Sequence, residues 1–230
     1  MTVYAIGDLH LPAEEKPMDV FGDHWINHFE RISEDWRARV QDDDIVLIPG
    51  DITWAMQLDA AKPDLASIGA LPGRKILTRG NHDYWWSSIG RVRDALPEGM
   101  YALQNDAMLL DGVLFAGTRG WNLAMGADAD PADVKIFQRE QLRLEMSLKA
   151  ARKLSGELPL IAMMHFPPLT ESLRETPFTQ ILRQYRVDHL VYGHLHGPAL
   201  YGAFKGEQDG ISYHQVSCDG LDFSLAKILG

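Results

Sequence analysis

Seven side chains that could bind a metal ion follow closely after apolar segments of this sequence. Each apolar segment has the character of a buried strand and ends in a short polar stretch. The seven side chains are Asp8, His10, Asp51, Asn81, His165, His194 and His196. Because ligands of open α/β sheets gather beyond the carboxyl ends of the strands, we expect these groups to converge at one place.

The residue types favour a divalent cation over covalent catalysis. Asp, Asn and neutral His all present lone pairs, and the set contains no lysine, serine or cysteine nucleophile. Carboxylate oxygen combined with imidazole nitrogen suits Mn, Fe, Zn or Ni. The set is larger than one tetrahedral ion needs. It fits two ions that share a carboxylate, an arrangement that can clamp both oxygens of a phosphoryl displacement.

Strands and helices alternate along the chain and must position these groups. Apolar runs predict strands at 2–6, 45–51, 75–83 and 158–168, and another that ends at 192. Helical spacing and breakers predict helices at 19–40, 59–70, 84–96, 132–155 and near 177–185. Short strands are expected at 100–118 and 199–230. The pattern is typical of a layered α/β protein with a mixed sheet or two packed sheets, folded as one domain over residues 1–230.

Composition excludes several classes of protein. The 230 residues carry a formal charge of −10, which argues against a protein that wraps nucleic acid through basic surface. The one cysteine, Cys218, cannot form an internal disulfide, and this fits a reducing, cytoplasmic setting. We recognise no signal peptide and no apolar run long enough to cross a membrane. The expected partner is a small molecule, and a homo-oligomer is left open.

Five ordered motifs give the sequence a family resemblance. They read Asp8-Leu9-His10, Gly50-Asp51, Gly80-Asn81-His82-Asp83, a lone His165, and Gly193-His194-Leu195-His196. In this order, each after an apolar run, they resemble the pattern of the calcineurin-like metallophosphoesterases, and the chain looks most like the short bacterial members. The resemblance implies a four-layer α/β/β/α sandwich, with two mixed sheets flanked by helices.

The resemblance also implies a site with two divalent metal ions. Asp8, His10 and His196 would hold the first ion, and Asp51 would bridge the two. Asn81, His165 and His194 would complete the second. The implied reaction is hydrolysis of a phosphomonoester or phosphodiester by in-line attack of a metal-bridging hydroxide.

Two neighbouring residues are the candidates for acid chemistry. His82 would donate a proton to the leaving oxygen, and Asp83 would orient its ring. Arginine guanidinium groups and aromatic rings near the motifs could contact the substrate. A wall of aromatic rings would suit a planar leaving group, either nucleotide-like or aryl. These substrate-binding candidates are Arg79, Arg119, Trp54, Trp121, Tyr84 and Phe166.

Other functions remain compatible with the same motifs. One is a nuclease or nucleic-acid-processing phosphodiesterase, which the acidic charge disfavours. Another is a catalytically silent metal-binding scaffold, although such relatives usually lose ligands and this chain keeps them all. Protein phosphatase activity is chemically allowed but not indicated. The residues do not identify the substrate, the native metal, a preference for monoester or diester, or the assembly state.

Overall fold

The computed structural model describes residues 1–13 and 16–230. Eleven strands form two mixed sheets in this part of the chain. The strands are β1 (Val3–Ala5), β2 (Ile45–Pro49), β3 (Arg74–Thr78), β4 (Met100–Ala102), β5 (Ala107–Leu110), β6 (Val113–Thr118), β7 (Leu160–Met164), β8 (His189–Tyr192), β9 (Gly206–Gln208), β10 (Ile211–Gln215) and β11 (Ala226–Leu229).

Each sheet has a parallel centre. The first sheet has the order β11-β1-β2-β3-β4, with only β11 antiparallel to its neighbour. The second has the order β5-β6-β7-β8-β10-β9, with antiparallel pairing at the two edge strands. The parallel strands of a sheet end at one edge, so the polar residues that follow them come together there.

Five α-helices cover the outer faces of the sheets. They are α1 (His28–Arg39), α2 (Leu58–Gly69), α3 (Ile89–Ala95), α4 (Pro131–Leu154) and α5 (Pro177–Gln184). Apolar residues of α1, α2 and α3 pack on the first sheet, and those of α4 and α5 pack on the second. None of the helices in the described residues is both long and apolar enough to span a membrane.

Alternation along the central strands builds the layers. In β2, Val46 and Ile48 pack toward the helices, whereas Ile45 and Leu47 pack against the second sheet. Side chains of a strand point to opposite faces in turn, so a strand buried on both faces needs an unbroken apolar run. The predicted α/β/β/α sandwich of two mixed sheets is therefore confirmed.

Two predicted helices are shorter than their sequence pattern suggests. The segment 19–40 is not one helix: two 3₁₀ turns, Met18–Phe21 and Asp23–Trp25, precede α1. Gly22 and Asn27 interrupt it with φ angles of 130° and 52°, which a continuous helix does not allow. The segment 84–96 becomes helical only from Ile89, because Trp85 and Trp86 are buried in the loop before α3.

The short strands predicted at 100–118 do not form a single meander. β4 pairs with β3 in the first sheet, whereas β5 and β6 form a hairpin in the second. The chain therefore crosses between the sheets after β4. Spacing of short strands alone carries no information on which sheet receives them, and that is why the crossing could not be predicted.

Candidate metal centre

The loops that follow the parallel strands of both sheets meet at one edge. Gly7, after β1, donates a backbone hydrogen bond to Val216 O (2.6 Å) after β10, and Cys218 N donates to Gly7 O (3.1 Å). The two sheets are thus joined where the polar loops emerge. The structure brings all seven predicted ligands together here, and we call this set the candidate metal centre; it comprises Asp8, His10, Asp51, Asn81, His165, His194 and His196.

Four members of this set have a left-handed backbone. The φ angles are 57° at Asp8, 45° at His10, 52° at Asp51 and 73° at His194. This region is uncommon for residues other than glycine and carries a cost that surrounding structure must hold. Each of the four turns sharply after its strand, and the sharp turn directs the side chain into the centre rather than along the sheet.

Close packing at the turns requires small neighbours. A Cβ atom on Gly80 would overlap the Asp51 carboxylate, and one on Gly193 would overlap the carboxylate of Asp8. His194 N donates to Asp8 Oδ1 at 3.0 Å, and His82 N donates to Asp51 Oδ1 at 2.8 Å. The glycines therefore let one strand-end loop contact the carboxylate of another.

The first group within the centre contains Asp8, His10 and His196. A ligand atom from each lies within 4.8 Å of the others. His10 Nε2 and His196 Nε2 are 3.3 Å apart, and His196 Nε2 is 3.6 Å from Asp8 Oδ1. Because His196 Nδ1 donates to Asp219 Oδ1 at 2.9 Å, its Nε2 is the atom left to face the other two.

The second group centres on Asn81 and His165. His165 Nε2 lies 2.7 Å from Asn81 Oδ1 and 3.4 Å from Asp51 Oδ2. His194 Nδ1 lies 3.0 Å from the same Asn81 oxygen and 3.2 Å from His165 Nε2. Asp8, Asp51 and His165 also satisfy the spacing of a three-ligand set. Carboxylate groups thus lie within reach of both groups of ligands, as two adjacent ions would require.

The donor chemistry of the second group fits a cation. Pro49 O accepts the hydrogen bond from His165 Nδ1 at 3.0 Å, since a carbonyl oxygen can only accept. The His165 Nε2 lone pair therefore points at the lone pairs of Asn81 Oδ1. Two acceptors at hydrogen-bond distance repel each other unless a positive charge lies between or beside them. The residues present therefore fit a divalent cation.

The pKa values describe a centre in which positive charge is lacking. Burial lowers the pKa of His10 to about 3 and that of His194 to about 4, so both rings present lone pairs near neutral pH. Burial raises the pKa of Asp51 to about 7. A cation at this place would favour the ionised carboxylate of Asp51 and the neutral rings of His10 and His194.

His196 and Asp8 form the exception to this pattern. Burial lowers the pKa of His196, but its hydrogen bonds to Asp219 and Asp8 outweigh burial and raise the pKa to about 10. Burial likewise raises the pKa of Asp8, whereas the hydrogen bond to His196 holds it well below its ordinary value. The His196 imidazolium thus supplies a positive charge next to Asp8, where a bound cation would supply it instead.

Asp83 does not orient the His82 ring, contrary to the prediction. Its buried carboxylate accepts hydrogen bonds from the backbone N–H groups of Gly80 (2.7 Å), Asp51 (2.9 Å) and Ile52 (2.9 Å), and from Trp85 Nε1 (2.9 Å). His82 Nδ1 is buried and has no hydrogen-bond partner in the described residues. Asp83 therefore ties together the loops that carry Asp51 and Asn81.

His82 lies at the wall of an open cavity of about 370 Å³. His10, Asp51, His194 and His196 also line this cavity, so the candidate metal centre opens into it. Burial lowers the pKa of His82. The His82 ring lies 4.6 Å from the Trp54 ring and 5.9 Å from the His10 ring, measured between centroids. Its position suits contact with a molecule held at the centre.

The six predicted substrate-binding residues separate into two sets. Trp54 lines the cavity and stacks on His10 at 4.8 Å between ring centroids. The Tyr84 side chain is 50% exposed, and its ring lies edge-on to His82 at 6.1 Å, outside the lining. Phe166 is buried against His194, with ring centroids 4.0 Å apart. Only Trp54 of these three is placed to contact a molecule in the cavity.

The remaining predicted contacts lie elsewhere. Arg79 and Arg119 line a different cavity, beside α4, that none of the candidate metal ligands lines. Trp121 packs between Arg119 and Phe166, at 4.6 Å and 5.1 Å respectively. The structure therefore places these three residues outside the lining of the metal-centre cavity, and their contact with a substrate stays a prediction. These residues were chosen because they lie next to motifs in the sequence. Their place in the sequence does not indicate the face of the sheet from which their side chains project.

Two residues of the site escaped the prediction from sequence. Asp219 holds His196 through Nδ1 and also accepts from Gly197 N at 3.0 Å, so it fixes the ring and the turn that follows. Trp25 lies edge-on to His10 and 5.8 Å from the His196 ring. Neither belongs to a recognisable motif. The only available signal for Asp219 was its place just after the last long apolar run, in the segment SCDG.

Comparison with known proteins supports the same interpretation of the motifs. The sequence profile described as calcineurin-like phosphoesterase matches residues 1–198. No curated protein sequence gives a significant match. The matched range contains every member of the candidate metal centre and ends before Asp219.

Three solved structures are similar to this chain at low sequence identity, and the one with a TM-score above 0.5 shares its fold. The protein TT1561 of Thermus thermophilus is 14% identical, with a TM-score of 0.61 over 99% of this chain and 97% of that one. A protein of unknown function from Aquifex aeolicus, AQ665, is 18% identical, with a TM-score of 0.48 over 98% of this chain and 95% of that one. An archaeal phosphodiesterase is 16% identical, with a TM-score of 0.44 over the whole of both chains.

Proposed function

Because this chain belongs to the calcineurin-like phosphoesterase family, we propose that it hydrolyses a phosphomonoester or phosphodiester of a small, nucleotide-like molecule with the help of two divalent cations. The single observation that carries this proposal is the convergence, at one place, of seven side chains of types that can bind a metal ion. We further propose that residues 1–230 act as one domain. The apolar layer shared by the two sheets supports this.

The two groups of the candidate metal centre would hold one cation each. Asp8, His10 and His196 would bind the first, and Asn81, His165 and His194 the second. Asp51 lies 3.9 Å from His10 Nε2 and 3.4 Å from His165 Nε2, which makes it the carboxylate to bridge them. Mn, Fe, Zn and Ni all suit this mixture of oxygen and nitrogen donors.

Divalent cations at such a centre lower the pKa of water to near neutrality and offset the negative charge that develops on a phosphoryl group. The chain itself holds the ligands in place. Asp219 keeps the proton of His196 on Nδ1, and Pro49 O keeps that of His165 on Nδ1. Each ring is thereby presented through Nε2 in one orientation, which reduces the reorganisation needed on binding.

His82 is the group we propose to act on the leaving oxygen. It lines the cavity next to the centre, and no protein hydrogen bond restrains its Nδ1 in the described residues. Its lowered pKa makes the neutral ring the main form near pH 7, so a ring N–H would donate a hydrogen bond as charge develops on that oxygen, whereas transfer of a proton would require the imidazolium form. Positioning of this kind needs no covalent intermediate with the enzyme.

The cavity wall indicates the kind of leaving group. Trp25, Trp54, Met18 and Phe21 line it opposite the polar centre. Rings present flat apolar faces that stack well on a planar group and poorly on a small alkyl alcohol. A nucleoside or aryl leaving group therefore suits this wall.

A hydrolysis panel tests the proposal. Purified protein loaded with Mn²⁺ would be assayed on aryl phosphate, bis-aryl phosphate, cyclic nucleotides, mononucleotides and oligonucleotides. We expect turnover of at least one small aryl or nucleotide ester and loss of that turnover on chelation. No turnover of any small ester after metal loading would contradict the proposal. Turnover of oligonucleotides alone would favour a nuclease.

A further inference from the structure

A second polar cavity lies beside α4, on the outer side of the β6 end. Four arginines line it, two from strand-end segments and two from the helix: Arg79, Arg119, Arg139 and Arg143. The cavity has a volume of about 260 Å³, and Gln104, Asn105 and Thr118 add polar groups to its wall. Such a concentration of guanidinium groups is unexpected in a chain whose formal charge is −10.

One carboxylate faces these four cations. Glu140 is 0% exposed and accepts from Arg143 Nη1 at 2.6 Å and from Thr118 Oγ1 at 2.7 Å, while Arg119 Nη2 lies 3.9 Å away. Burial lowers the pKa of Arg119, and the nearby positive charges of Arg79, Arg143 and Arg139 lower it further. Glu140 neutralises one charge of the cluster, so the cavity keeps an excess of positive charge.

Hydrogen-bond donors in the cavity remain unused. Arg79 Nε is buried and has no partner in the described residues. Arg139 is exposed at the mouth and donates no hydrogen bond to any part of the chain that the structure describes. Arg139 and Arg143 are four residues apart on α4, so their side chains project from one face of the helix. A ligand with several acceptor oxygens would satisfy these donors.

The cavity is separate from the candidate metal centre but joined to it through the backbone. None of the candidate ligands lines it. Arg79 lies two residues before Asn81, and the carbonyl oxygen of Arg119 accepts from His165 N at 3.0 Å. Trp121 and Phe166 fill the space between the Arg119 side chain and His194. An anion bound here would therefore not contact the metals, but it would hold two of the loops that carry ligands.

We propose that this arginine cavity binds a phosphate group other than the one that reacts. Planar guanidinium forks match the oxygens of phosphate in pairs, and a partly desolvated cluster strengthens each contact. The proposal does not depend on the proposed hydrolysis, because it concerns a different cavity and a binding equilibrium.

Calorimetric titration of inorganic phosphate into the full-length chain tests the proposal. The protein is first freed of metal by chelation and dialysis, so that phosphate cannot bind to cations at the metal centre. We expect saturable binding of one phosphate per chain, weakened by added salt. Arg139→Gln should weaken the binding by about threefold to tenfold, and Arg139→Glu more strongly, because each removes a charged donor.

Arg37→Gln is the matched control, since Arg37 is also an exposed helical arginine but lies on α1, away from the cavity. This variant should bind phosphate like the unmodified chain. Arg139 is exposed, so its substitution leaves the core intact, and thermal unfolding can verify this. Absence of saturable binding to the metal-free chain would overturn the proposal. Equal affinity in the Arg139→Gln, Arg139→Glu and unmodified chains would also overturn it.

The phosphate could belong to the substrate or be free in solution, and kinetics on the metal-loaded protein separate the two sources. If it belongs to the substrate, Arg139→Gln raises KM for a nucleoside diphosphate but not for the corresponding monophosphate. If it is free, Arg139→Gln leaves both KM values unchanged although phosphate binding is weakened. Either result, together with the titration, supports the arginine cavity as a phosphate site.

Discussion

His165 Nε2 lies 2.7 Å from Asn81 Oδ1, and both atoms face each other with lone pairs. Pro49 O fixes this arrangement because it accepts the hydrogen bond from His165 Nδ1 and leaves Nε2 facing Asn81. A contact of this kind between two acceptors is unfavourable in the bare protein and becomes favourable when a cation binds both. The side chains of the centre are thus arranged to bind a cation.

Removal of metal should destabilise the folded protein. A cation present at about a hundred times its Kd contributes about 2.7 kcal/mol, and this corresponds to about 5–10 °C in Tm for a chain of this size. We expect chelation to lower Tm by this amount and Mn²⁺ to restore it, measured by calorimetry. His165→Ala should largely lose the response. His214→Gln, which replaces a half-buried histidine away from the centre, should keep it. An equal response in both variants would contradict the assignment.

Asp83→Asn should lower the free energy of unfolding rather than act selectively on kcat. The substitution puts an amide where a fully buried carboxylate accepts four backbone N–H groups and one indole N–H. We expect a loss of about 3 kcal/mol or more in the free energy of unfolding, measured by urea denaturation of metal-free protein. Asp94→Asn, on the exposed face of α3, should change it little. Unchanged stability with a selective fall in kcat would instead favour the original idea that Asp83 orients His82.

His82→Gln should affect poor leaving groups more than good ones. A group that assists the leaving oxygen matters most when that oxygen is strongly basic, so kcat/KM for an alkyl or nucleoside ester should fall by about 10²–10⁴-fold. The fall for a nitrophenyl ester should be far smaller. Metal content, measured in parallel, should not change. An equal loss for both esters, or a loss of metal, would show that His82 acts by another route.

Trp54→Leu should reduce the preference for planar leaving groups. Trp54 is the predicted aromatic contact that lines the cavity of the metal centre, where it stacks on His10. The loss of one ring face should lower kcat/KM for an aryl phosphate by about tenfold relative to an alkyl phosphate. Trp121→Leu, which alters a ring outside this cavity, should leave the ratio of the two substrates unchanged. The idea of an aromatic wall fails if Trp54→Leu also leaves that ratio unchanged.

Sequence reasoning succeeded where a local pattern has one structural consequence. Apolar runs that end in Gly-Asp or Gly-His predicted strands with polar ends, and parallel strands place those ends at one edge of a sheet. That is why Asp8, Asp51, Asn81 and His194 could be grouped before any coordinates were known. The two-sheet architecture came from the family resemblance, and the fold and family are both confirmed.

The features that the sequence did not reveal depend on contacts between distant segments. Asp219 reaches His196 only because the loop after β10 joins the one after β1, and no local pattern records that meeting. Arg79 stands next to the glycine of a motif, yet it projects into the cavity beside α4. Arg139 and Arg143 have the spacing of an ordinary solvated helix face. Their role in a cluster depends on which residues the second sheet places opposite them.

The number of metal ions per chain tests the central claim most directly. Protein saturated with Mn²⁺ and freed of excess would be analysed by plasma mass spectrometry, together with His10→Ala and Asn81→Ala. We predict about two ions per chain in the unmodified protein and about one in each variant, because each substitution removes a ligand from a different group. The hydrolytic rate should fall with the loss of either ion. One ion per chain or fewer in the unmodified protein, or full occupancy in both variants, would contradict the account.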